Sequence, residues 1–145
     1  MTTKTSIQIN LAHSYLAYFA FSLLGLFADT FWGFGTPLYH GEAIALMCFI
    51  LGPLLIYWAQ STSSTQSDLP YFVRGPYQYL RNPTHIGIVI LVAGYTAVSG
   101  SIAFLVVTII GYIISNVFFK KYESLLHKEY GELYKNYKKI VPKIF

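Results

Sequence analysis

The side chains of this chain that could do chemistry lie mainly in two polar segments, residues 69–87 and 122–142. No Ser/His/Asp triad is visible, and the histidines are not spaced as metal ligands. The two segments are instead rich in aromatic residues, among them Tyr77, Tyr134 and Tyr137. Aromatic faces attract cations and stack on flat rings, so these tyrosines are candidates for binding a cationic or heteroaromatic ligand.

Charged and polar side chains lie beside these tyrosines, and their roles stay open at this stage. Glu123 could receive an ammonium group, whereas Arg81 could simply reach phosphate headgroups with its long side chain. Asn82 and Pro83 suit the start of a helix, with Asn82 as N-cap and Pro83 in the first turn. His85, in that same turn, could be a structural hydrogen-bond partner. Each residue therefore has a structural as well as a chemical interpretation.

The composition indicates which solvent surrounds these segments. Of 145 residues, 54% are hydrophobic and only 11% are charged, against roughly 25% charged in a typical soluble domain. A soluble domain this small could not hide so much apolar surface, so we expect an integral membrane protein. The single cysteine, Cys48, excludes a disulfide framework. No cleavage site follows the first apolar segment, which we interpret as a retained helix.

Four segments are apolar enough to be predicted as spanning helices. The third is short, and residues 99–101 connect it tightly to the fourth as an antiparallel hairpin. We predict an all-α membrane domain over residues 1–145, completed by an amphipathic C-terminal helix. The four predicted spans are residues 11–34, 41–60, 83–99 and 101–119.

The ten basic residues predict the orientation of these spans. They occur only in the N-terminal segment, in the connection between the second and third spans, and in the C-terminal tail. Four spans place all three regions on the same side, and the positive-inside rule makes that side cytoplasmic. We therefore predict that both termini are cytoplasmic. The basic residues are Lys4, Arg74, Arg81, Lys120, Lys121, Lys128, Lys135, Lys138, Lys139 and Lys143.

The tail after Phe119 has a helical period of apolar residues with Lys and Glu between them. This pattern predicts an amphipathic helix at the membrane surface. Gly131 interrupts the pattern at a cost of about 1 kcal/mol relative to Ala, so we expect a bend or close packing there. The apolar positions are Tyr122, Leu126, Tyr130, Leu133, Tyr137 and Val141.

The order of polar segment, hairpin and polar segment resembles the isoprenylcysteine carboxyl methyltransferase family, which includes related phospholipid methyltransferases and small bacterial members. That family carries G-[PV]-Y-x-[YW]-x-R-[HN]-P-x-[YH]-x-G before a transmembrane hairpin. After the hairpin it carries E-E-x-x-L-x-x-x-[FY]-G-x-x-Y-x-x-Y, followed by V-P. Residues 75–87 match the first pattern and residues 126–142 match most of the second. The resemblance covers the chain from residue 69 onward, and the order of the motifs is more specific than either motif alone.

The resemblance implies a methyltransferase of a bacterial inner membrane that uses S-adenosylmethionine without a Rossmann domain. It places the cofactor at the cytoplasmic face, under residues 60–81 and the C-terminal helix. A small amphiphilic or lipid-like acceptor would approach from the bilayer, and no nucleic-acid partner is expected. The predicted catalytic residues are Arg81 and Glu123. Motif position and ring chemistry together give the candidate cofactor-binding residues: Leu69, Pro70, Tyr71, Phe72, Tyr77, Asn82, Pro83, Thr84, His85, Tyr122, Glu123, Tyr134 and Tyr137.

Two positions depart from the family pattern. Tyr122 stands where the first Glu of the pair is expected, and Phe118 stands where eukaryotic members carry a substrate-contacting Arg. A carboxylate acceptor would favour that Arg, because its guanidinium binds carboxylates through two hydrogen bonds. The departure argues against assuming prenylcysteine as substrate, and the acceptor and oligomeric state stay open.

Two other functions remain as alternatives. Membrane sterol reductases carry a similar R-x-P-x-x-x-G and Y-G-x-x-Y pattern but bind NADPH, whose 2′-phosphate would call for more clustered Arg than this chain has. The departures at Tyr122 and Phe118 motivate a third hypothesis, a non-catalytic membrane protein that has kept the fold.

Overall fold

The computed structural model describes residues 3–32, 40–64 and 70–141, and the side chains of residues 12–31, 40–64 and 70–141. Over those ranges the chain is helical and forms no strand. The five α-helices are α1 (Thr3–Trp32), α2 (Gly41–Ser64), α3 (Pro83–Ser99), α4 (Ile102–Tyr130) and α5 (Glu132–Ile140), and two short 3₁₀ helices, Tyr71–Val73 and Gly75–Gln78, lie between α2 and α3.

The apolar helices have the surface of a protein solvated by lipid. Three described segments are long and apolar enough to cross a membrane, namely Ala12–Phe31, Gly41–Ser64 and Ile102–Tyr130. Large apolar side chains such as Leu16 and Ile113 are more than 60% exposed on them, which water would penalise and acyl chains would not. The fourth predicted span, α3, is apolar but has only 17 residues. The four-span topology and the cytoplasmic termini stay predictions.

Two helices run on past the C-terminal ends of the predicted spans. Helix α2 continues beyond residue 60 to Ser64. The hydroxyls of its polar end bond back to carbonyls in the preceding turn: Ser61 and Thr62 both donate to the Trp58 carbonyl, at 3.0 and 2.8 Å. Helix α4 does not end at Phe119 but runs to Tyr130. The loss of hydropathy there does not end the helix, since lysine, glutamate and leucine are good helix formers.

The predicted interruption at Gly131 is confirmed. Its backbone has φ 52° and ψ −124°, and its N–H donates to the His127 carbonyl at 3.0 Å. A Cβ added there would meet nothing within 4 Å, so glycine is required by the positive φ and not by close packing. The separate amphipathic helix is therefore α5 alone, beginning at Glu132.

Helices α1 and α4 belong to one compact unit. Glycine lets the two helices approach closely: Gly111 of α4 lies against the side chain of Phe21 on α1, and Gly25 of α1 lies against Phe104 on α4. Small residues at helix contacts are typical of membrane proteins, where van der Waals packing replaces the hydrophobic driving force between helices.

Helices α2 and α3 belong to a second unit, together with residues 135–141. Gly52 and Gly87 face each other so closely that a Cβ on either would lie 2.9 Å from the other's carbonyl oxygen. Nearer the opposite end of α3, Gly94 packs on the Cβ of Cys48. This tight packing holds the N-terminal part of α3, which contains the last residues of the first sequence motif, against α2.

Candidate functional site

The segment before α3 is built from short turns. The Arg74 N–H donates to the Tyr71 carbonyl at 3.1 Å, and the Tyr77 N–H donates to the Arg74 carbonyl at 3.2 Å. Gly75 joins the two 3₁₀ turns with φ +53°, and the side chain of Thr62 occupies the space that a Cβ at Gly75 would need. Both conformation and space thus require glycine here, and the turns place their aromatic side chains on one another.

Four predicted cofactor-binding residues form an aromatic cluster, defined here as Tyr71, Phe72, Tyr77 and Tyr137. The rings of Tyr71 and Tyr77 meet edge to face at 5.1 Å, and the rings of Phe72 and Tyr137 lie 5.1 Å apart. Phe72, Tyr77 and Tyr137 are buried, whereas Tyr71 is half-buried. Tyr137 comes from the second motif and the other three from the first, so the structure brings these parts of the two motifs together.

Tyr77 lies at the centre of this arrangement and is only 4% exposed. Burial raises the pKa of its phenol above the ordinary value, and the Thr84 and Ser63 hydroxyls oppose that shift to a smaller extent. Tyr77 is therefore a neutral phenol at physiological pH. Its backbone carbonyl accepts a hydrogen bond from the Tyr137 hydroxyl at 2.8 Å. Ser63 was not among the predicted residues, since it precedes the recognisable motif.

Arg81 binds the last turn of α5. Its Nε donates to the Val141 carbonyl at 2.7 Å, and its Nη2 donates to the Lys138 carbonyl at 2.8 Å. These partners follow Arg81 by 60 and 57 positions, and no sequence pattern announces a bond between an Arg and distant backbone carbonyls. The predicted catalytic role of this residue stays a prediction, but its guanidinium has two defined backbone partners.

The predicted helix start at Pro83 is confirmed, but the predicted capping role of Asn82 is only half right. The Asn82 carbonyl accepts the Ile86 N–H at 3.3 Å, as an N-cap residue's does. Its side-chain Oδ1 is buried and accepts no hydrogen bond from the described residues. An unsatisfied buried acceptor costs about 1–3 kcal/mol. Thr84 and His85, the next predicted residues, are both 3% exposed.

Three further predicted residues, Tyr122, Glu123 and Tyr134, lie in the first unit. Tyr122 is buried, with its ring tilted on Phe119 at 5.4 Å. Glu123 is half-buried, and its Oε1 accepts a long hydrogen bond of 3.4 Å from the buried Tyr134 hydroxyl. The tyrosines of the tail at positions 122, 134 and 137 are thus buried within the protein. The placement of the tail at the membrane surface stays a prediction. Leu133, which the pattern placed among the apolar positions of the tail, is exposed.

The surroundings of Phe118 contain residues that the sequence did not single out. The Phe118 ring stacks on His13 of α1 at 5.9 Å, and the Lys121 Nζ lies 6.0 Å from the ring centroid. Helical spacing relates Lys121 to Phe118, but nothing in the sequence relates His13 to it. Of the predicted site residues, Leu69 lies outside the described residues, and Pro70 is half-buried at the start of the first 3₁₀ turn.

Comparison with known proteins gives one match. A family model described as phospholipid methyltransferase matches residues 43–133. The matched region begins in α2 and ends in the first turn of α5, so it contains the first motif and the part of the second that precedes Tyr134. No curated protein and no solved structure matches the chain significantly.

Proposed function

The chain belongs to the phospholipid methyltransferase family, and we propose that it transfers the methyl group of S-adenosylmethionine to a small amphiphilic or lipid-like acceptor at the membrane. Membership confirms the resemblance inferred from the two motifs, and it points to a membrane methyltransferase of the EC 2.1.1 type. The cofactor, the acceptor and the site residues are the parts that we propose.

The observation that carries the proposal is the buried Oδ1 of Asn82, which lacks a hydrogen-bond donor among the described residues. S-adenosylmethionine offers donors of the right kind: an ammonium group, two ribose hydroxyls and the adenine amine. The N-terminus of α3 adds a second feature that fits. First-turn N–H groups and the helix dipole favour an anion there, and the cofactor carries a carboxylate. The residues at the start of α3 are thus suited to this cofactor.

The aromatic cluster is the second support. Bound beside it, the cofactor would supply a methyl group already activated on a sulfonium. The faces of Tyr71 and Tyr77 suit that positive charge and can stack on adenine. The buried side chains of Phe72 and Tyr137 exclude water from one side. The chain would then mainly align methyl group and acceptor, which needs neither a nucleophilic triad nor a metal.

Glu123 is the proposed partner for a cationic group, either the cofactor's ammonium or a cationic acceptor. Its carboxylate is half-buried and touches the Tyr134 hydroxyl, so partial desolvation would strengthen an ion pair there. Tyr122, in the position of the missing first Glu, offers a buried neutral phenol instead. Glu123 therefore has to supply the acidity that the family divides between two side chains.

The surroundings of Phe118 favour an acceptor other than a carboxylate. Phe118 is occupied by His13 on one ring face, and Lys121 offers a point charge rather than a guanidinium fork. An amine-bearing amphiphile needs no fork at this position. We therefore propose a lipid-like acceptor that is not a prenylcysteine carboxylate.

Ligand binding to detergent-purified protein tests the proposal. S-adenosylhomocysteine should bind in calorimetry and raise the apparent melting temperature by roughly a few degrees, because it binds the native state. Asn82→Ala should weaken binding, whereas Asn136→Ala, an exposed asparagine on α5, should not. A response to NADPH alone would establish the reductase alternative, and a response to neither ligand would support the non-catalytic one.

A further inference from the structure

Arg81 caps the C-terminal end of α5. An α-helix leaves its last carbonyls without intrahelical partners, and those of Lys138 and Val141 at the end of α5 receive the guanidinium N–H groups at 2.8 and 2.7 Å. A positive charge at this end also opposes the negative pole of the helix dipole. The Arg81 side chain thus has the position and chemistry of a helix cap supplied from a distant part of the chain.

A second contact holds the same helix to the same segment one turn earlier. The Tyr137 hydroxyl donates to the Tyr77 carbonyl at 2.8 Å, and the Tyr137 ring packs on Phe72 at 5.1 Å. Arg81 and Tyr77 belong to one short segment of turns that ends at Pro83. Helix α5 is therefore held at two places, at Tyr137 and at its last carbonyls. The residues that bind it there, Tyr77 and Arg81, are four positions apart in the chain.

Helix α5 depends on such anchors. It has nine residues, and isolated helices shorter than roughly 12–15 residues are marginal in water. Gly131 separates it from α4 by a non-helical residue, so α4 does not extend its hydrogen-bond ladder. Side-chain contacts must therefore stabilise α5 as a helix. The same contacts hold Tyr137 in the aromatic cluster.

We propose that Arg81 is a positioning residue that fixes α5 on the segment before α3 and so keeps Tyr137 within the aromatic cluster. Its effect on the cofactor is exerted through α5 rather than by contact, because Nε and Nη2 are directed at backbone carbonyls. A lysine ammonium cannot span two carbonyls with a rigid fork, so Arg81→Lys retains only part of the function. The consequence for cofactor binding rests on the proposed function; the effect on α5 does not.

Hydrogen exchange on the full-length protein in nanodiscs tests the structural step. Arg81→Gln should make the amides of residues 132–141 exchange about ten-fold faster, with Arg81→Lys in between. Lys139→Gln removes an exposed charge from the last turn of the same helix and should change exchange far less than Arg81→Gln does, because both hydrogen bonds from Arg81 to α5 remain. If Arg81→Gln fails to fold, the milder Arg81→Lys variant carries the test. Wild-type exchange in both Arg81 variants would overturn the proposal, whatever the protein binds.

A double-mutant cycle tests the functional step. Tyr137→Phe removes the other anchor, and both single variants should weaken S-adenosylhomocysteine about ten-fold. Because both act by releasing the same helix, the double variant should lose clearly less than the hundred-fold product. A hundred-fold loss of affinity in the double variant, together with wild-type hydrogen exchange in Arg81→Gln, would show that Arg81 contacts the ligand directly and would overturn the proposal. Faster exchange in a protein that binds no S-adenosylhomocysteine would retain the positioning role and reject the proposed methyl transfer.

Discussion

Ser14 on α1 and Ser115 on α4 each donate a hydrogen bond to the other's backbone carbonyl. The Ser115 Oγ lies 2.9 Å from the Ser14 carbonyl oxygen, and the Ser14 Oγ lies 3.1 Å from that of Ser115. The two hydroxyl oxygens are 2.8 Å apart, and both side chains are fully buried. Such reciprocal bonds join two helices where acyl chains would offer no alternative partner.

We expect Ser115→Ala to weaken the contact between α1 and α4. Interhelical hydrogen bonds in membrane proteins contribute on average about 0.6 and at most about 1.7 kcal/mol, so the free energy of unfolding should fall by an amount in that range. Unfolding in mixed detergent measures it. Ser124→Ala, an exposed serine of the same helix, is the matched control, and equal losses in both variants would contradict the assignment.

The boundaries of α3 were predictable because Asn-Pro at its start and Ser-Gly-Ser at its end are strong local signals. The end of α4 was not, since hydropathy reports where a helix leaves the membrane and not where it stops. In the site, the family resemblance singled out Tyr71 and Phe72, whereas Tyr77 and Tyr137 were candidates from their ring chemistry as well. The bonds of Arg81 to α5 depend on tertiary structure and have no local signal.

Topology is tested by cysteine labelling on a Cys48→Ser background. In the predicted four-span arrangement, a membrane-impermeant thiol reagent in intact cells should label a cysteine at Thr36 but not one at Ser64. Thr36 lies outside the described residues, so this expectation rests on the distribution of basic residues. Labelling at Ser64 in sealed cells would overturn the four-span arrangement.

The buried phenol of Tyr77 should make the protein sensitive to alkaline pH. Its pKa lies above the ordinary value of 10.0 because of burial, so the folded state holds this proton more tightly than the unfolded state does. Stability is therefore unaffected below about pH 10 and falls as the pH rises towards the folded pKa. Tyr77→Phe should show a smaller loss of melting temperature between pH 9 and pH 11 than wild type does. Tyr79→Phe, at an exposed position, should behave like wild type; identical pH profiles for all three proteins would contradict the argument.

Glu123 provides the sharpest test of the proposed site, because one carboxylate stands where the family has two. Tyr122 lies about 100° away around the helix and is buried as a neutral ring, so it cannot replace the missing charge. If Glu123 receives the cofactor's ammonium in its half-buried position, Glu123→Gln removes a charge-assisted contact of roughly 1.5–3 kcal/mol. Calorimetry should then show S-adenosylhomocysteine binding at least about ten-fold more weakly.

The matched control for this prediction is Glu129→Gln, which removes the same charge from an exposed position on the same helix. It should leave the affinity unchanged, because solvent screens an exposed carboxylate. Tyr134→Phe separates charge from orientation: it deletes only the 3.4 Å hydrogen bond to Glu123, and a bond that long should contribute little. Glu123→Gln should therefore weaken binding far more than Tyr134→Phe. Wild-type affinity in Glu123→Gln would mean that the carboxylate is a surface charge without a ligand, and the acidic function of the family motif would then be lost in this chain.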